Sequence, residues 1–443
     1  MSEKTIVIHP VVPPVKGEGA RKFVRDPDAA LEEALGLAGA INLDIAHAEI
    51  VRLKTVTPAT LIGSGVVERI KGTIEEEEAK LVYVDCQLSP VQQRNLEKAW
   101  NTKVIDRTGL ILEIFGARAH TKEGKLQVDL AALTYQRTRL VKAWSHLERQ
   151  RGGGAFIGGP GETQKELDRR ALDERIRKLN VDLESVRKNR HLQRESRKRE
   201  PYPIIAIVGY TNAGKSTLFN YTTHADVFAK DLLFATLDTT MRALKLPSGK
   251  KAILSDTVGF ISELPTHLIA AFRATLEEVQ DATVILHVRD ISQENTDAER
   301  EDVLNILKDL GIDGENDERV IEVVNKIDKL AIAERKGLVN RMMRKERAVA
   351  VSAISGEGVD NLLSLIDARL GKDRQTVRVA VDLTDGKALA WLHAQGEILA
   401  RRDDDERAHM RVALEPADIE RFSARFPSYK LQKPRTAAKK KSA

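Results

Sequence analysis

The sequence has one cysteine, Cys86, in 443 residues. An internal disulfide is therefore excluded, and the usage fits a reducing cytoplasm. Cys86 closes the apolar run Leu81-Val82-Tyr83-Val84-Asp85-Cys86, which makes it core rather than a reactive thiol. The ten histidines are scattered without metal-ligand spacing. No run approaches the ~18 apolar residues that a membrane-spanning helix needs, so no span is expected. The start, Met1-Ser2-Glu3-Lys4, leads into too short an apolar stretch for a signal peptide. At 42% apolar and 31% charged residues the composition is that of a soluble protein long enough for several domains.

The most informative stretch is Gly209-Tyr210-Thr211-Asn212-Ala213-Gly214-Lys215-Ser216. Its spacing is Gly-x-x-x-x-Gly-Lys-Ser/Thr, that of a phosphate-binding loop. The β-branched run Pro203–Val208 before it reads as a buried strand, and Thr217-Leu218-Phe219-Asn220 after it as a first helical turn. That context suits the chemistry. Glycines let backbone N–H groups curl around a phosphate, and the helix N-terminus adds its positive dipole end. Lys215 is expected on the β- and γ-phosphates, and the Ser216 hydroxyl on Mg²⁺.

Further motifs follow in the order a GTP-using protein requires. Asp256-Thr257-Val258-Gly259 comes after the apolar Ala252-Ile253-Leu254. Its carboxylate suits water-mediated Mg²⁺ contact, and the Gly259 N–H suits the γ-phosphate. Asn325-Lys326-Ile327-Asp328 ends the strand-like Val320–Val324. Asp328 can accept two N–H bonds from guanine, for which adenine has no matching edge. Ser352-Ala353 ends Ala348–Val351, and its backbone suits the guanine O6. Between the first two motifs lies Phe234-Ala235-Thr236-Leu237-Asp238-Thr239-Thr240. Thr236 is the candidate switch threonine on Mg²⁺, with neighbouring threonines as competitors. Lys215, Thr236 and Gly259 are thus the candidate catalytic groups. The ordered set selects GTP over ATP.

Alternating helical and strand-like runs over residues 1–123 suggest a small α/β domain. The acidic run Glu75–Glu78 reads as a solvated helix end, and Thr60–Gly65 as an ordinary loop. Residues 124–200 differ. Leu126, Leu130, Leu133, Leu140, Trp144 and Leu147 keep a four-three rhythm in which Arg137 takes one position; Leu172, Ile176, Leu179, Leu183 and Val186 repeat it. The glycine-rich Arg151–Gly161 between them is not helix-forming, and Thr163–Glu166 has the pattern of a capping box. The expectation is an antiparallel helical hairpin with a glycine-rich tip. Residues 137–200 carry 18 basic against 10 acidic residues, read either as a solvated face or as a surface for nucleic-acid phosphates. Arg151, Gly154, Phe156 and Gly158 are the candidate RNA contacts, Phe156 by stacking on an unpaired base. The other reading of the tip is a flexible connector. Residues 201–371 predict a doubly wound, mostly parallel sheet with its ligand at the strand carboxyl ends. Residues 372–443 predict a small α+β domain, with a disordered basic tail from Lys430.

The chain resembles the HflX-type GTPases, translation-associated G proteins that act on the ribosome. The resemblance rests on Gly209–Ser216, Phe234–Asp238, Asp256–Phe260, the tip Gly158–Gln164 and the stretch Val104–Leu112. It implies binding to the large ribosomal subunit and its RNA, GTP hydrolysis to GDP, and splitting or rescue of stalled ribosomes by a monomeric protein. Thr239 stands where the family usually has proline. Phe260 follows the Gly259 motif where many small GTPases carry the glutamine that orients water, so free hydrolysis should be slow. Asn212 occupies the asparagine position of potassium-stimulated G proteins. K⁺ coordination and a hydrogen bond holding the loop are its two readings. The competing functions are a G-protein switch acting on another RNA or protein through the hairpin, and an ATP-driven RNA remodeller.

Overall fold

The computed structural model describes residues 3–12, 26–150, 160–197, 202–224, 240–262, 278–371, 375–414 and 416–432. The chain opens with β1 (Lys4–Val11), α1 (Pro27–Ala40), β2 (Asp44–Arg52), α2 (Ser64–Glu77), β3 (Leu81–Val84), α3 (Pro90–Trp100), β4 (Lys103–Asp106) and α4 (Arg107–Arg118). The four strands form a parallel sheet in the order β2-β1-β3-β4. Strand period two splits β1 between two cores. Ile6 and Ile8 pack with Ile70, Leu96 and Trp100 of α2 and α3, while Val7 turns to Leu37, Leu110 and Phe115 of α1 and α4. Each such fully buried side chain contributes about 1.5–3 kcal/mol.

Two long helices follow, α5 (Lys122–Gln150) and α6 (Pro160–Arg197), packed as a pair. Ile176 and Leu183 are buried and Leu172, Leu179 and Val186 half-buried, as the four-three rhythm of α6 requires. On α5 the stripe shifts near its start: Val128 and Ala131 are buried and join the core of α1 and α4, and Leu126, Leu130 and Leu133 are half-buried. Arg137, at its seam position, pairs with Asp173 of α6 at 3.2 Å. α6 begins at Pro160, so Thr163 lies inside the helix and the expected capping box does not start it. Proline at a first helical position lacks only an N–H that would be orphaned there anyway, which favours the earlier start.

The next segment is β5 (Ile204–Gly209), α7 (Lys215–Thr223), β6 (Thr240–Lys245), β7 (Lys251–Asp256), β8 (Val284–Asp290), α8 (Thr296–Asp309), β9 (Val320–Asn325), α9 (Ile332–Met343), β10 (Ala348–Ala350) and α10 (Val359–Leu370). The sheet order is β10-β9-β8-β5-β7-β6, parallel except for β6, which lies antiparallel to β7 at the edge. Ile205 and Ile207 face α7 and α10, and Ala206 and Val208 face α8. Helices on both faces leave the strand carboxyl ends open, where a doubly wound sheet binds its ligand. The second of these faces belongs to the same apolar cluster as Leu37, Leu110 and Phe115, so the first and second sheets share one core.

The last sheet, β11-β13-β12, is antiparallel. It comprises β11 (Gln375–Asp382), β12 (Glu397–Asp403) and β13 (Arg407–Leu414), with α11 (Gly386–Gln395) and α12 (Pro416–Arg425) packed on it through Leu392 and Phe422. Gln432 bridges to Arg378 of β11, so the first residues of the expected tail are structured; the rest of it, from 433 on, lies outside the described residues.

Candidate nucleotide site

β5 ends at Gly209, the loop Tyr210–Gly214 turns, and α7 starts at Lys215. Gly214 adopts φ +91°, and a Cβ there would lie 2.2 Å from Asn325 Nδ2. Only glycine lets that amide sit against the loop. Asn325 uses the position fully. Its Nδ2 donates to the Ala213 carbonyl at 2.8 Å, and its Oδ1 accepts from the Ala353 N–H at 3.0 Å. Three separate sequence motifs are thereby locked together. Asp328 accepts from the Ser352 hydroxyl at 2.6 Å, and Lys326 pairs with Asp290 at 2.7 Å.

Lys215 is buried and donates to the Tyr210 carbonyl at 2.7 Å. Burial pulls its ammonium down to about 8, against opposing attraction from Asp256 and Glu299. The Ser216 hydroxyl donates to Asp256 Oδ2 at 2.7 Å, and the Thr257 hydroxyl to the Ile207 carbonyl at 2.6 Å. Gly259 closes over the loop. A Cβ there would come 2.9 Å from Thr211 Cγ2 and 3.0 Å from Lys215 Nζ. Phe260 is buried and extends the strand pairing: its N–H donates to the Gly209 carbonyl at 3.0 Å, and its carbonyl accepts from Thr211 N–H at 2.7 Å. Asn212 is exposed at φ +59°, and among the described residues its side chain makes no hydrogen bond. The Thr211 hydroxyl is buried without a hydrogen-bond partner among the described residues.

Family models match four consecutive stretches. They are the GTP-binding GTPase N-terminal region over 28–116, the GTPase middle region over 118–197, a 50S ribosome-binding GTPase over 204–326 and the HflX C-terminal domain over 337–433. GTPase HflX of Magnetococcus marinus is 45% identical, over 95% of this chain and 94% of its own. The chain belongs to the HflX GTPase family. GTPase HflX of Escherichia coli K12 is 43% identical over 79% of this chain and 81% of its own. Among solved structures, a GTP-binding protein from Sulfolobus solfataricus in complex with GDP is 24% identical, covers 83% of this chain and 99% of its own, and has a TM-score of 0.43. HflX membership makes the chain a GTP hydrolase with its N-terminal α/β sheet, helical pair, mixed nucleotide sheet and antiparallel C-terminal unit in family order.

Within this HflX chain the phosphate loop, Asp256–Gly259, Asn325–Asp328 and Ser352-Ala353 converge at one end of the sheet. Phe234, Ala235 and Thr236 lie outside the described residues, as do Arg151, Gly154, Phe156 and Gly158. Among the described residues no helix is long and apolar enough to cross a membrane.

The sequence reading missed a buried polar cluster beside the site. Tyr210 donates its hydroxyl to Glu33 Oε2 at 2.5 Å and accepts on it from Ser262 N–H at 2.9 Å. Arg107 reaches Asp85 Oδ1 at 2.6 Å, Glu33 Oε1, and the Ser262 hydroxyl at 2.7 Å. Burial alone would raise the Asp85 carboxyl; Arg107, with hydrogen bonds from His9 and Tyr83, holds it at about 2. The available signal was an arginine set in the apolar stretch Val104–Leu112.

Proposed function

We propose that this GTPase binds the large ribosomal subunit, hydrolyses GTP there, and splits or rescues stalled ribosomes in the cytoplasm. The observation that carries the reading is the near full-length match to GTPase HflX together with the 50S ribosome-binding GTPase model over 204–326.

In this reading Gly209–Thr217 cradle the phosphates, and Lys215 holds the β- and γ-phosphates through its charge. Gly259 offers its N–H to the γ-phosphate, with Thr257 and Val258 leading into the turn. Asn325, Lys326, Asp328, Ser352 and Ala353 hold the base, and Phe234 and Ala235 flank the switch. The paired hydroxyl and carboxylate of Ser216 and Asp256 are hard oxygen donors of the kind Mg²⁺ prefers. Ser216 and Thr236 are its proposed ligands, and the ion neutralises phosphate charge when bound. Asn212, exposed beside the loop, is the proposed ligand of K⁺. Phe260 is buried and has no group to orient water, so stimulation comes from the ribosome. Arg151, Gly154, Phe156 and Gly158 are proposed to meet ribosomal RNA at the hairpin tip.

Co-sedimentation with ribosomes, with and without a non-hydrolysable GTP analogue, tests this. Nucleotide-dependent binding to the large subunit and release of split subunits are expected. Replacing Arg151–Gly161 by a short Gly-Ser turn should abolish splitting and leave intrinsic GTP hydrolysis intact. Failure to bind ribosomes in any nucleotide state would favour a switch acting on another target, and full splitting by the replaced variant would make the tip a mere connector.

A further inference from the structure

We propose that Glu33 and Arg107, two residues of the N-terminal sheet unit, are positioning residues for GTP hydrolysis. They hold the first residue of the phosphate-loop turn, Tyr210, and the residue three beyond Gly259 of the γ-phosphate turn, Ser262, in one fixed arrangement. The inference rests on the chain being a GTPase.

The geometry is that of a clamp. Glu33 accepts from the Tyr210 hydroxyl with one oxygen and, with the other, from Arg107 and from the Ser262 hydroxyl at 3.1 Å. Arg107 also donates to the Ser262 carbonyl at 3.3 Å. The Ser262 N–H closes the ring on Tyr210. Arg107 is 6% exposed; its other terminal nitrogen donates to Asp85, which His9 and Tyr83 hold in turn, and its buried Nε has no hydrogen-bond partner among the described residues. A buried charged ring of this kind is satisfied only as a whole, since removing one member leaves the others desolvated and unpaired. It therefore permits one placement of Tyr210 against Ser262.

That placement matters because of what lies between. Gly259 and Phe260 run along the loop by the paired bonds Phe260 N–H to Gly209 and Thr211 N–H to Phe260. Upstream, Asp256 is tied to Ser216; downstream, Ser262 is tied to Arg107. The Gly259 N–H is thus preorganised from both flanks, which is how a backbone donor stabilises charge that develops only in the transition state. Arg107 is also the first residue of α4, and its neighbour Asp106 caps that helix through Gly109 N–H while accepting from Tyr135 and Arg139 of α5. The foot of the hairpin and the clamp on the nucleotide site share one helix N-terminus.

The test uses the full-length chain without ribosomes. Glu33→Gln and Tyr210→Phe should each lower kcat for GTP about tenfold, with the Kd for GTP within about twofold of wild type. The double variant should be no slower than either single variant. Arg107→Lys keeps the charge but not the fork, and should fall into the same class. Unchanged kcat in Glu33→Gln, effects that multiply in the double variant, or a loss of GTP binding that matches the loss of kcat would each overturn the proposal. If Arg107→Lys fails to fold, the Glu33 and Tyr210 cycle still decides. Absence of hydrolysis by the wild type itself would fault the GTPase reading instead.

Discussion

The two units that flank the nucleotide sheet attach to the chain in opposite ways. The N-terminal sheet shares an apolar core with it, from Leu37 and Phe115 to Val208 and Phe260, and adds the buried ring around Arg107. The C-terminal unit closes on itself. Among the described residues, its core of Val379, Leu392, Val412 and Phe422 contains none from elsewhere, and the Trp391 ring meets Phe422 tilted at 5.3 Å and Phe426 edge-on at 6.4 Å. Among the described residues, every hydrogen bond and ion pair made by 375–432 stays within that segment, and pairs such as Arg407–Asp382 are exposed. A neighbour that shares its core and its buried charges belongs to the machine. A neighbour with a private core is an appendage that can change without disturbing it.

The largest expected effect sets the scale for that contrast. Lys215→Ala removes the charge on the β- and γ-phosphates and should cut GTP turnover by ~10³-fold or more, read in a phosphate-release assay; unchanged turnover would move the engine elsewhere. Phe115→Ala and Phe422→Ala come next. Each empties a fully buried aromatic position and should cost about 3–5 kcal/mol in its own unit's unfolding. Only Phe115→Ala should weaken GTP binding as well, because its core is shared. Equal damage to nucleotide binding from both would erase the distinction.

A smaller effect is expected from pH. The Lys215 ammonium sits at about 8 in the nucleotide-free protein, pulled down by burial. Bound phosphate favours its charged form, so binding takes up a proton once pH passes that value. GTP affinity should be flat below pH ~7 and fall by up to ~10-fold per unit above pH ~8. Titration calorimetry in buffers of different ionisation enthalpy reads the proton directly, and affinity constant to pH ~9.5 would contradict it. The smallest effect belongs to the appendage. Ending the chain at Gly371 should leave intrinsic hydrolysis within about twofold. A large loss would show that the C-terminal unit is coupled through contacts beyond the described residues.

The nucleotide loop was readable in the sequence because its chemistry is local: a strand, a turn and a helix within a few residues create the phosphate cradle. The alternation of apolar runs likewise exposed the parallel sheets and the helical pair. Other features depend on distance. Glu33 and Ser262 lie 229 positions apart, and no window of sequence relates them. In the sequence β1 reads only as a short apolar leader, although burial on both of its faces makes it a central strand. β6 escaped because Thr240–Lys245 is an exposed edge strand, and an antiparallel edge needs no continuous apolar run. α4 escaped because its apolar residues form one dense run, Leu110-Ile111-Leu112, which periodicity cannot assign.

The ion pair between Arg137 and Asp173 has a geometric consequence. Both side chains are over a third exposed, at 42% and 35%, so the pair adds little to stability. A lone charge in an apolar seam is instead a stagger mark. Sliding α6 by one heptad against α5 would set Arg137 opposite the wrong rung, as a single polar position does in a coiled coil. The 38 residues of α6 make a rod of about 57 Å. The pair is thus a register mark for α5 against α6, written in charge rather than in packing.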